Sequence, residues 1–219
     1  MRSISRTVLL AAALVLSTLA ACADEPAERH LVYLHGRIVQ EQQNRRPKNP
    51  EFGFYEVDQI LDSFRQRGFA VSCEVRPKGM TVAAAANRAV EQVRELMASG
   101  VPAQRITVLG ASMGSTIALE ASVKLRNPEL NFGLLGACLS LYVPLLVAEH
   151  GRGPAGRILA VREKSDETSE PCPPWKGDAR SRARLVVREI VLDTGLRHGF
   201  LYRPLPEWVE PVVEWATLR

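Results

Sequence analysis

Residues 106–114, Ile-Thr-Val-Leu-Gly-Ala-Ser-Met-Gly, are the stretch that decides the fold of this chain. The first four residues form an apolar run of strand length, and a helix-patterned segment follows the last glycine. That segment has apolar residues at helical spacing and ends at Asn127-Pro128. We therefore predict a strand, a sharp turn and a helix, with Ser112 at the apex. Gly110 and Gly114 let the backbone approach itself closely, which leaves the serine hydroxyl exposed in the position of a nucleophile.

Outward from this stretch, strand-like and helix-like runs alternate along the chain. Apolar runs at residues 31–34, 69–75, 132–139, 158–161 and 185–192 predict further strands. Amphipathic stripes predict helices at residues 57–64, before a stop at Gly68, at 82–96 and at 207–218. Because strands that alternate with helices form right-handed βαβ units, we predict a doubly wound, mostly parallel sheet in a three-layer α/β/α sandwich.

The segment after His35-Gly36 has neither the strand-like nor the helix-like hydrophobic pattern. Its roughly twenty residues contain Pro47, Asn49-Pro50 and a polar run, so we expect a long irregular loop over the C-terminal end of the first strand. Long loops in compact domains are often functional. This loop is therefore expected to border a functional site.

The first 21 residues are typical of an export signal. Arg2 and Arg6 precede an uncharged apolar stretch at residues 8–20, which is too short for a comfortable membrane span. Leu19-Ala20-Ala21-Cys22 resembles the bacterial lipobox, which implies cleavage before Cys22 and lipidation of that residue. The alternative is a plain secretory signal, cut near Ala21 or Ala23. We expect an exported lipoprotein that faces the periplasm or the cell exterior and contacts the membrane only through its lipid, with residues 22–28 as a tether and 29–219 as one domain.

The composition is ordinary for one globular domain. Of the 219 residues, 46% are hydrophobic and 24% are charged, which suffices for one large core. The formal charge of +4 falls to +2 without residues 1–21, which hold two arginines and no acid. The remaining basic residues are dispersed, so we expect no nucleic-acid partner.

The sequence has no cysteine or glycine motif that predicts a bound metal or cofactor. Beside Cys22, the chain has Cys73, Cys138 and Cys172, which allow at most one disulfide in an oxidising compartment. Alternatively, Cys73 and Cys138 are small buried hydrophobes, since each lies in an apolar run. No CxxC motif, no His/Cys cluster at metal spacing and no phosphate-binding glycine motif occurs in the sequence.

Four chemically reactive features follow predicted strands. His35-Gly36 follows the first strand, Ser112 the third, Asp166 the 158–161 strand, and His198 the last. In parallel sheets of this class, ligands bind at the C-terminal ends of the strands. We therefore expect these side chains to lie near one another, in the chain order serine, acid, histidine.

This set of motifs resembles the α/β-hydrolase family over nearly all of the mature chain. The resemblance rests on Leu34-His35-Gly36, the pentapeptide 110–114, Ser165-Asp166 and His198-Gly199. It implies that Ser112 attacks an acyl carbonyl, that His198 accepts and later returns the proton, and that Asp166 fixes the imidazole tautomer. It also implies that the backbone N–H groups of Met113 and Arg37 stabilise the oxyanion, with Ile38 as the alternative to Arg37.

Several residues compete for these roles. His150 is the alternative base, although its glycine-rich surroundings favour a solvated loop residue. His35 comes too early in the chain for the base, and we interpret it as a structural histidine that braces its loop. The alternative acids are Glu163, Glu167, Glu170 and Asp193.

Two departures from the family limit the substrate. The connection between the 132–139 and 158–161 strands is too short for a large helical cap, so bulky interfacial lipids are poor candidates. We interpret residues 165–179, with Cys172-Pro-Pro-Trp175, either as a substrate-side loop held by a disulfide through Cys172, with Trp175 as an apolar wall, or as a rigid surface loop. We expect a cofactor-independent serine hydrolase acting on small or exposed acyl esters or thioesters. The alternatives are a serine peptidase of the same fold and a non-catalytic lipoprotein that binds a ligand or an envelope partner.

Overall fold

The computed structural model describes residues 28–136, 142–171 and 185–218. The export signal, the tether up to residue 27, Cys22, Cys138, Cys172 and Trp175 lie outside these ranges, and the predictions made for them stay predictions. Within the described part of the chain, no helix has the length and apolar character needed to cross a membrane.

Strands and helices alternate along the described residues as the sequence predicts. The strands are β1 (Arg29–Leu34), β2 (Lys48–Asn49), β3 (Gly53–Phe54), β4 (Phe69–Ser72), β5 (Ile106–Ala111), β6 (Asn131–Leu135), β7 (Gly156–Glu163) and β8 (Leu185–Leu192). The helices are α1 (Arg37–Gln42), α2 (Val57–Arg65), α3 (Val82–Ala98), α4 (Met113–Leu125), α5 (Tyr142–His150) and α6 (Pro206–Thr217). Short 3₁₀ helices span Ala103–Arg105 and Arg197–Tyr202.

The central sheet is parallel throughout its described strands. Six strands lie in the order β4-β1-β5-β6-β7-β8, and β5 pairs with β1 on one side and β6 on the other. Because all six run in the same direction, their C-terminal ends meet at one edge of the sheet. This arrangement confirms the predicted doubly wound sheet and brings the predicted site residues to that edge.

Two apolar cores separate the sheet from the helices on its two faces. Leu31 and Tyr33 of β1 point into a core shared with α2 and α6, and Val32 and Leu34 point into a core shared with α3 and α4. The alternation follows from the two-residue period of a strand that is buried on both faces. Trp208 of α6, which is fully buried, anchors the first core. The predicted three-layer α/β/α sandwich is therefore confirmed.

The segment after His35-Gly36 differs from the predicted irregular loop. It forms α1 and then the small antiparallel ribbon β2–β3. Polar side chains supply the hydrogen bonds that stabilise it: the Gln42 amide donates to the Lys48 carbonyl, and Asn49 Oδ1 accepts from Glu51 and Phe52. A two-turn helix and two-residue strands are too short to show a hydrophobic period, which is why the pattern predicted a loop.

Other boundaries differ by a few residues. Helix α5 was not predicted, and β4 ends at Ser72 rather than at residue 75. Cys73 consequently lies just beyond β4, where it is half-buried, packs against the first core and carries a free thiol. The disulfide considered for Cys73 is therefore absent, and the interpretation of Cys73 as a small core residue fits better.

Candidate active site

Ser112 occupies a strained turn between β5 and α4. Its backbone has φ 55° and ψ −119°, in the left-handed half of conformational space that a residue with a Cβ rarely adopts. Such a conformation costs roughly 1–3 kcal/mol and persists only where the surroundings enforce it. The Ser112 N–H donates to the Leu135 carbonyl at 2.8 Å, and the Ser115 N–H donates to the Ser112 carbonyl at 2.8 Å. Pairing between β5 and β6 thus holds the turn.

The two motif glycines are required by backbone contacts. A Cβ on Gly110 would lie 2.1 Å from the Gly114 carbonyl oxygen, and a Cβ on Gly114 would lie 1.8 Å from the Leu34 carbonyl oxygen. Both distances are far inside van der Waals contact, and neither neighbour is a flexible side chain. The glycines therefore let the first turn of α4 pack directly against β1 and β5, as the motif predicts.

Ser115 supports the same turn and was not identified from the sequence. Its buried hydroxyl lies 2.8 Å from the carbonyl oxygens of both Gly110 and Leu135. The only sequence feature that could have indicated Ser115 is a small hydroxyl residue three positions after Ser112.

Ser112, His198 and Asp166 form one continuous hydrogen-bonded chain. Ser112 Oγ lies 3.0 Å from His198 Nε2, and His198 Nδ1 lies 2.6 Å from Asp166 Oδ2. A proton on Nδ1 donates to the carboxylate and leaves Nε2 free to accept the serine proton. The three residues come from the C-terminal ends of β5, β7 and β8, as the parallel sheet predicts.

The environment of Asp166 keeps its carboxyl ionised. The side chain is nearly fully buried, which opposes ionisation, but hydrogen bonds from His198 and Thr168 outweigh burial and lower the pKa of Asp166. Thr168 donates to Asp166 Oδ1 through its backbone N–H at 3.0 Å and its hydroxyl at 2.7 Å. The same hydroxyl oxygen lies 3.1 Å from His198 Nδ1. Thr168 was not predicted as a site residue, although a threonine two residues after an aspartate is a common local hydrogen-bonding pattern.

The competing residues occupy other positions. Glu163 is fully buried and accepts hydrogen bonds from Ser165, Thr194 and Gly195. Asp193 pairs with Lys164 at 3.1 Å on the surface. His150 ends α5 rather than lying in a loop, and its Nε2 is 3.9 Å from the Glu149 carboxylate. Glu167 lines the cavity beside Asp166, and Glu170 is exposed.

The two residues predicted to form the oxyanion hole, Met113 and Arg37, each begin a helix beside Ser112. Met113 is the first residue of α4 and Arg37 the first of α1, so neither N–H has an acceptor within its own helix. Both residues line the cavity that contains Ser112, whereas Ile38 packs against the first core. A Cβ built on Gly36 would lie 3.6 Å from Ser112 Cβ, which shows how closely the His35-Gly36-Arg37 turn passes the serine.

The buried His35 ring supports the His35-Gly36-Arg37 turn through hydrogen bonds. The ring is fully buried; its Nδ1 lies 2.9 Å from the Gly36 carbonyl, and its Nε2 accepts the Arg76 N–H at 3.1 Å. The buried Arg76 guanidinium donates to the His35 carbonyl and to Gln40 Oε1. Burial and the Arg76 charge lower the pKa of His35 to about 4. The ring is therefore neutral, as the structural role predicted for it requires.

The serine opens into a cavity of about 590 Å³. The tip of the β2–β3 ribbon forms one wall, where the Phe52 ring lies 6.5 Å from the His198 ring and Glu51 pairs with Arg197. The remaining lining residues are Arg37, Val82, Met113, Thr116, Gly136, Asp166, Glu167 and Thr168. Among the described residues, no group of three or more His, Cys, Asp or Glu side chains could hold a metal ion.

Solved structures with a similar fold include esterases. No protein-family model and no curated protein matches the chain. An esterase of Pyrococcus furiosus is 13% identical with a TM-score of 0.54, covering 88% of this chain and 83% of its own. A variant of the SOBER1 protein of Arabidopsis thaliana is 12% identical with a TM-score of 0.52, covering 85% and 97%. A thermophilic esterase of Thermogutta terrifontis, with butyrate bound, is 19% identical with a TM-score of 0.51, covering 89% and 84%. At these identities the likeness shows that this chain has the α/β-hydrolase fold.

Proposed function

We propose that this chain is a serine hydrolase that cleaves small or exposed acyl esters or thioesters through an acyl-enzyme on Ser112. The observation that carries the proposal is the hydrogen-bonded chain from Ser112 Oγ through His198 to Asp166, with links of 3.0 Å and 2.6 Å. A serine hydroxyl is a weak nucleophile at neutral pH, and a paired base oriented by a carboxylate is the arrangement that activates it.

The geometry supports a two-step acyl transfer. His198 Nε2 takes the Ser112 proton as Oγ bonds to the substrate carbonyl carbon, and the carbonyl oxygen becomes an oxyanion. The N–H groups of Met113 and Arg37 donate to that oxyanion. When the tetrahedral intermediate collapses, the bond to the leaving group breaks and the leaving alcohol or thiol takes the proton from His198. A water molecule then repeats the sequence on the acyl-enzyme, releases the carboxylic acid and restores Ser112.

Asp166 acts through the imidazole. Its carboxylate accepts the Nδ1 proton of His198 and stabilises the imidazolium that forms during each step. Thr168 restrains the carboxylate from the other side through two hydrogen bonds. Because Asp166 is ionised and nearly buried, its interaction with the imidazolium is weakly screened by solvent.

The open cavity supports small or exposed substrates. β6 ends at Leu135 and β7 begins at Gly156, and α5 is the helix described between them, so this interval is too short for a large helical cap. We propose in addition that the protein is exported and anchored through lipid on Cys22, and that Trp175 lines the substrate side of the site. Both proposals rest on sequence, since these residues lie outside the described ranges.

A fluorophosphonate probe tests the catalytic proposal, because it reacts covalently with an activated serine. We expect labelling of the wild-type chain, none of Ser112→Ala, and undiminished labelling of Ser122→Ala. Ser122 is a matched control, since it is a buried serine of α4, the helix that follows Ser112, and its hydroxyl donates to the Leu119 carbonyl. An unlabelled wild type, or equal labelling of Ser112→Ala, would refute the proposal.

Turnover then identifies the substrate class. p-Nitrophenyl esters with short and medium acyl chains should be assayed beside acyl thioesters and peptide amides. We expect hydrolysis of the esters or thioesters with a burst of the first product in wild type and none in Ser112→Ala. Hydrolysis of peptide amides alone would favour the peptidase alternative.

A further inference from the structure

We propose that Glu163 is a positioning residue that holds the loop of the acid and the loop of the base in register; the inference rests on the proposed function of Ser112, His198 and Asp166. Glu163 is the last residue of β7 and its side chain is fully buried. Among the described residues, no lysine or arginine forms an ion pair with it. Its place in the fold therefore calls for another explanation than a salt bridge.

The Glu163 carboxylate is saturated by donors from two loops. Oε1 accepts from Ser165 through its N–H at 3.2 Å and its hydroxyl at 2.9 Å, and from the Gly195 N–H at 3.3 Å. Oε2 accepts from Thr194 through its N–H at 3.0 Å and its hydroxyl at 2.8 Å. Ser165 directly precedes Asp166, and Thr194 and Gly195 lead into His198. One carboxylate thus connects the segments that carry the two partners of the 2.6 Å His198–Asp166 bond.

A second contact continues the connection. The Ser165 hydroxyl that donates to Glu163 also accepts the Arg197 N–H at 3.1 Å. Arg197 adjoins His198 and has a φ of 51°, a left-handed conformation that needs support from its surroundings. The chain of contacts from Glu163 through Ser165 to Arg197 therefore reaches the residue next to the base.

The charge of Glu163 is central to this role. Burial opposes ionisation, but hydrogen bonds from Thr194 and Ser165 outweigh it and lower the pKa of Glu163. An ionised carboxylate offers only acceptors, which suits five donors. A glutamine at this position has the same shape, but its NH₂ group would replace one of the two acceptor oxygens and would face the donors that this oxygen accepts from. Glu163→Gln therefore removes the connection while keeping the volume of the side chain.

A double-mutant cycle with Asp166 tests the inference. We expect Glu163→Gln to lower kcat for a p-nitrophenyl ester about 10²-fold with KM nearly unchanged, since a small misplacement of a catalytic group has that effect. In an Asp166→Asn background the same change should have little further effect, because the interaction that Glu163 positions is already lost. Equal losses of kcat in both backgrounds would indicate a merely structural role and overturn the inference.

Asp193→Asn is the matched control. Asp193 pairs with Lys164 and so connects the same two loops, but at the exposed surface. We expect it to keep wild-type kcat, because an exposed ion pair contributes little. A loss of kcat equal to that of Glu163→Gln would show that any disturbance of these loops suffices, and would overturn the specific role of Glu163.

Two further measurements guard against a variant that fails to fold. Thr194→Val removes one of the five hydrogen bonds and should lower kcat several-fold while keeping the far-UV circular dichroism of wild type. The downfield proton resonance of the His198–Asp166 bond should be present in wild type and lost or shifted in Thr194→Val and Glu163→Gln. Folded variants with an unchanged resonance and unchanged kcat would overturn the inference alone, whereas a wild type without Ser112-dependent turnover would overturn the proposed function as well.

Discussion

Lowering the pH from 7 to 4 should destabilise the fold through the buried imidazole of His35. The ring is neutral because its Nε2 accepts a hydrogen bond from the Arg76 backbone N–H at 3.1 Å. Protonation would place a second N–H donor at Nε2, directly facing the Arg76 N–H. Burial and the Arg76 charge lower the pKa of His35 from 6.5 to about 4. Between these values the unfolded chain binds the proton and the folded chain does not.

The sign and size follow from proton linkage. Because the folded pKa is lower than the unfolded one, the stabilisation is fully present above pH 6.5, decreases as the pH falls toward 4 and is lost below that value. For a shift from 6.5 to about 4, linkage gives a loss of about 2 kcal/mol at pH 5 and about 3 kcal/mol at pH 4. The ring is 0% exposed, so solvent does not screen this effect. Such a loss is a large fraction of the stability of an ordinary domain.

Urea unfolding of wild type and His35→Gln at pH 7, 5 and 4 measures the effect. Glutamine keeps an acceptor for the Arg76 N–H and has no titrating group, so acid should destabilise this variant less than wild type, by about 2 kcal/mol at pH 5. Carboxylates contribute equally to both proteins and cancel in the difference. His30→Gln, near the start of β1, is the control for replacing a different histidine with glutamine. Parallel stability curves for wild type and His35→Gln between pH 7 and 4 would refute the reasoning.

Three further predictions concern the acid Asp166, Gly114 in the turn at Ser112, and the lipidation of Cys22. Asp166→Asn should lower kcat about 10⁴-fold by favouring the wrong imidazole tautomer, and a near-normal rate would move the acid role to a neighbour. Gly114→Ala should cost at least about 3 kcal/mol in urea unfolding, since its Cβ would lie 1.8 Å from a carbonyl oxygen. Gly153→Ala is the control, because its nearest neighbour would lie at 3.9 Å, and equal losses would contradict the steric argument. Cys22→Ser should release the protein from membranes and remove the mass of the lipid, and a variant that still partitions into membranes would contradict lipidation.

The layers of the fold were predictable because long apolar runs dictate them. Residues 106–109 and 158–161 are buried strands in the structure, as their composition predicts, and the helical stripe of α2 is buried where the pattern placed it. Burial on both faces of a parallel strand leaves a strong signal in the sequence. The segment after Gly36 was predicted wrongly as irregular, because its helix and strands are too short to show a hydrophobic period. Hydrogen bonds that Gln42 donates and Asn49 accepts help to organise it.

The candidate site was predictable only in part, because motifs indicate Ser112 and His198 whereas the acid depends on the conformation of a short turn. The elbow motif and the order of strands indicate that Ser112 and His198 meet, and in the structure they lie within hydrogen-bonding distance. The resemblance favoured Asp166 as the acid but left Glu163 as an alternative, since Glu163 ends β7 and Asp166 lies in the turn that follows it. That turn directs Asp166 toward His198 and Glu163 toward Thr194. Their proposed roles in catalysis and positioning stay predictions until the variants are measured.

The turn at Ser112 depends on contacts with distant parts of the chain. The strained Ser112 backbone is held by the Leu135 carbonyl, and Gly114 packs against the Leu34 carbonyl, so both supports come from distant parts of the chain. Contacts between distant segments form late, because loop closure must precede them. A newly made chain therefore cannot present the serine in its exposed conformation until β1, β5 and β6 have paired. The exposed Ser112 conformation and the completed centre of the sheet therefore appear together, and an unfolded chain carries only an ordinary serine.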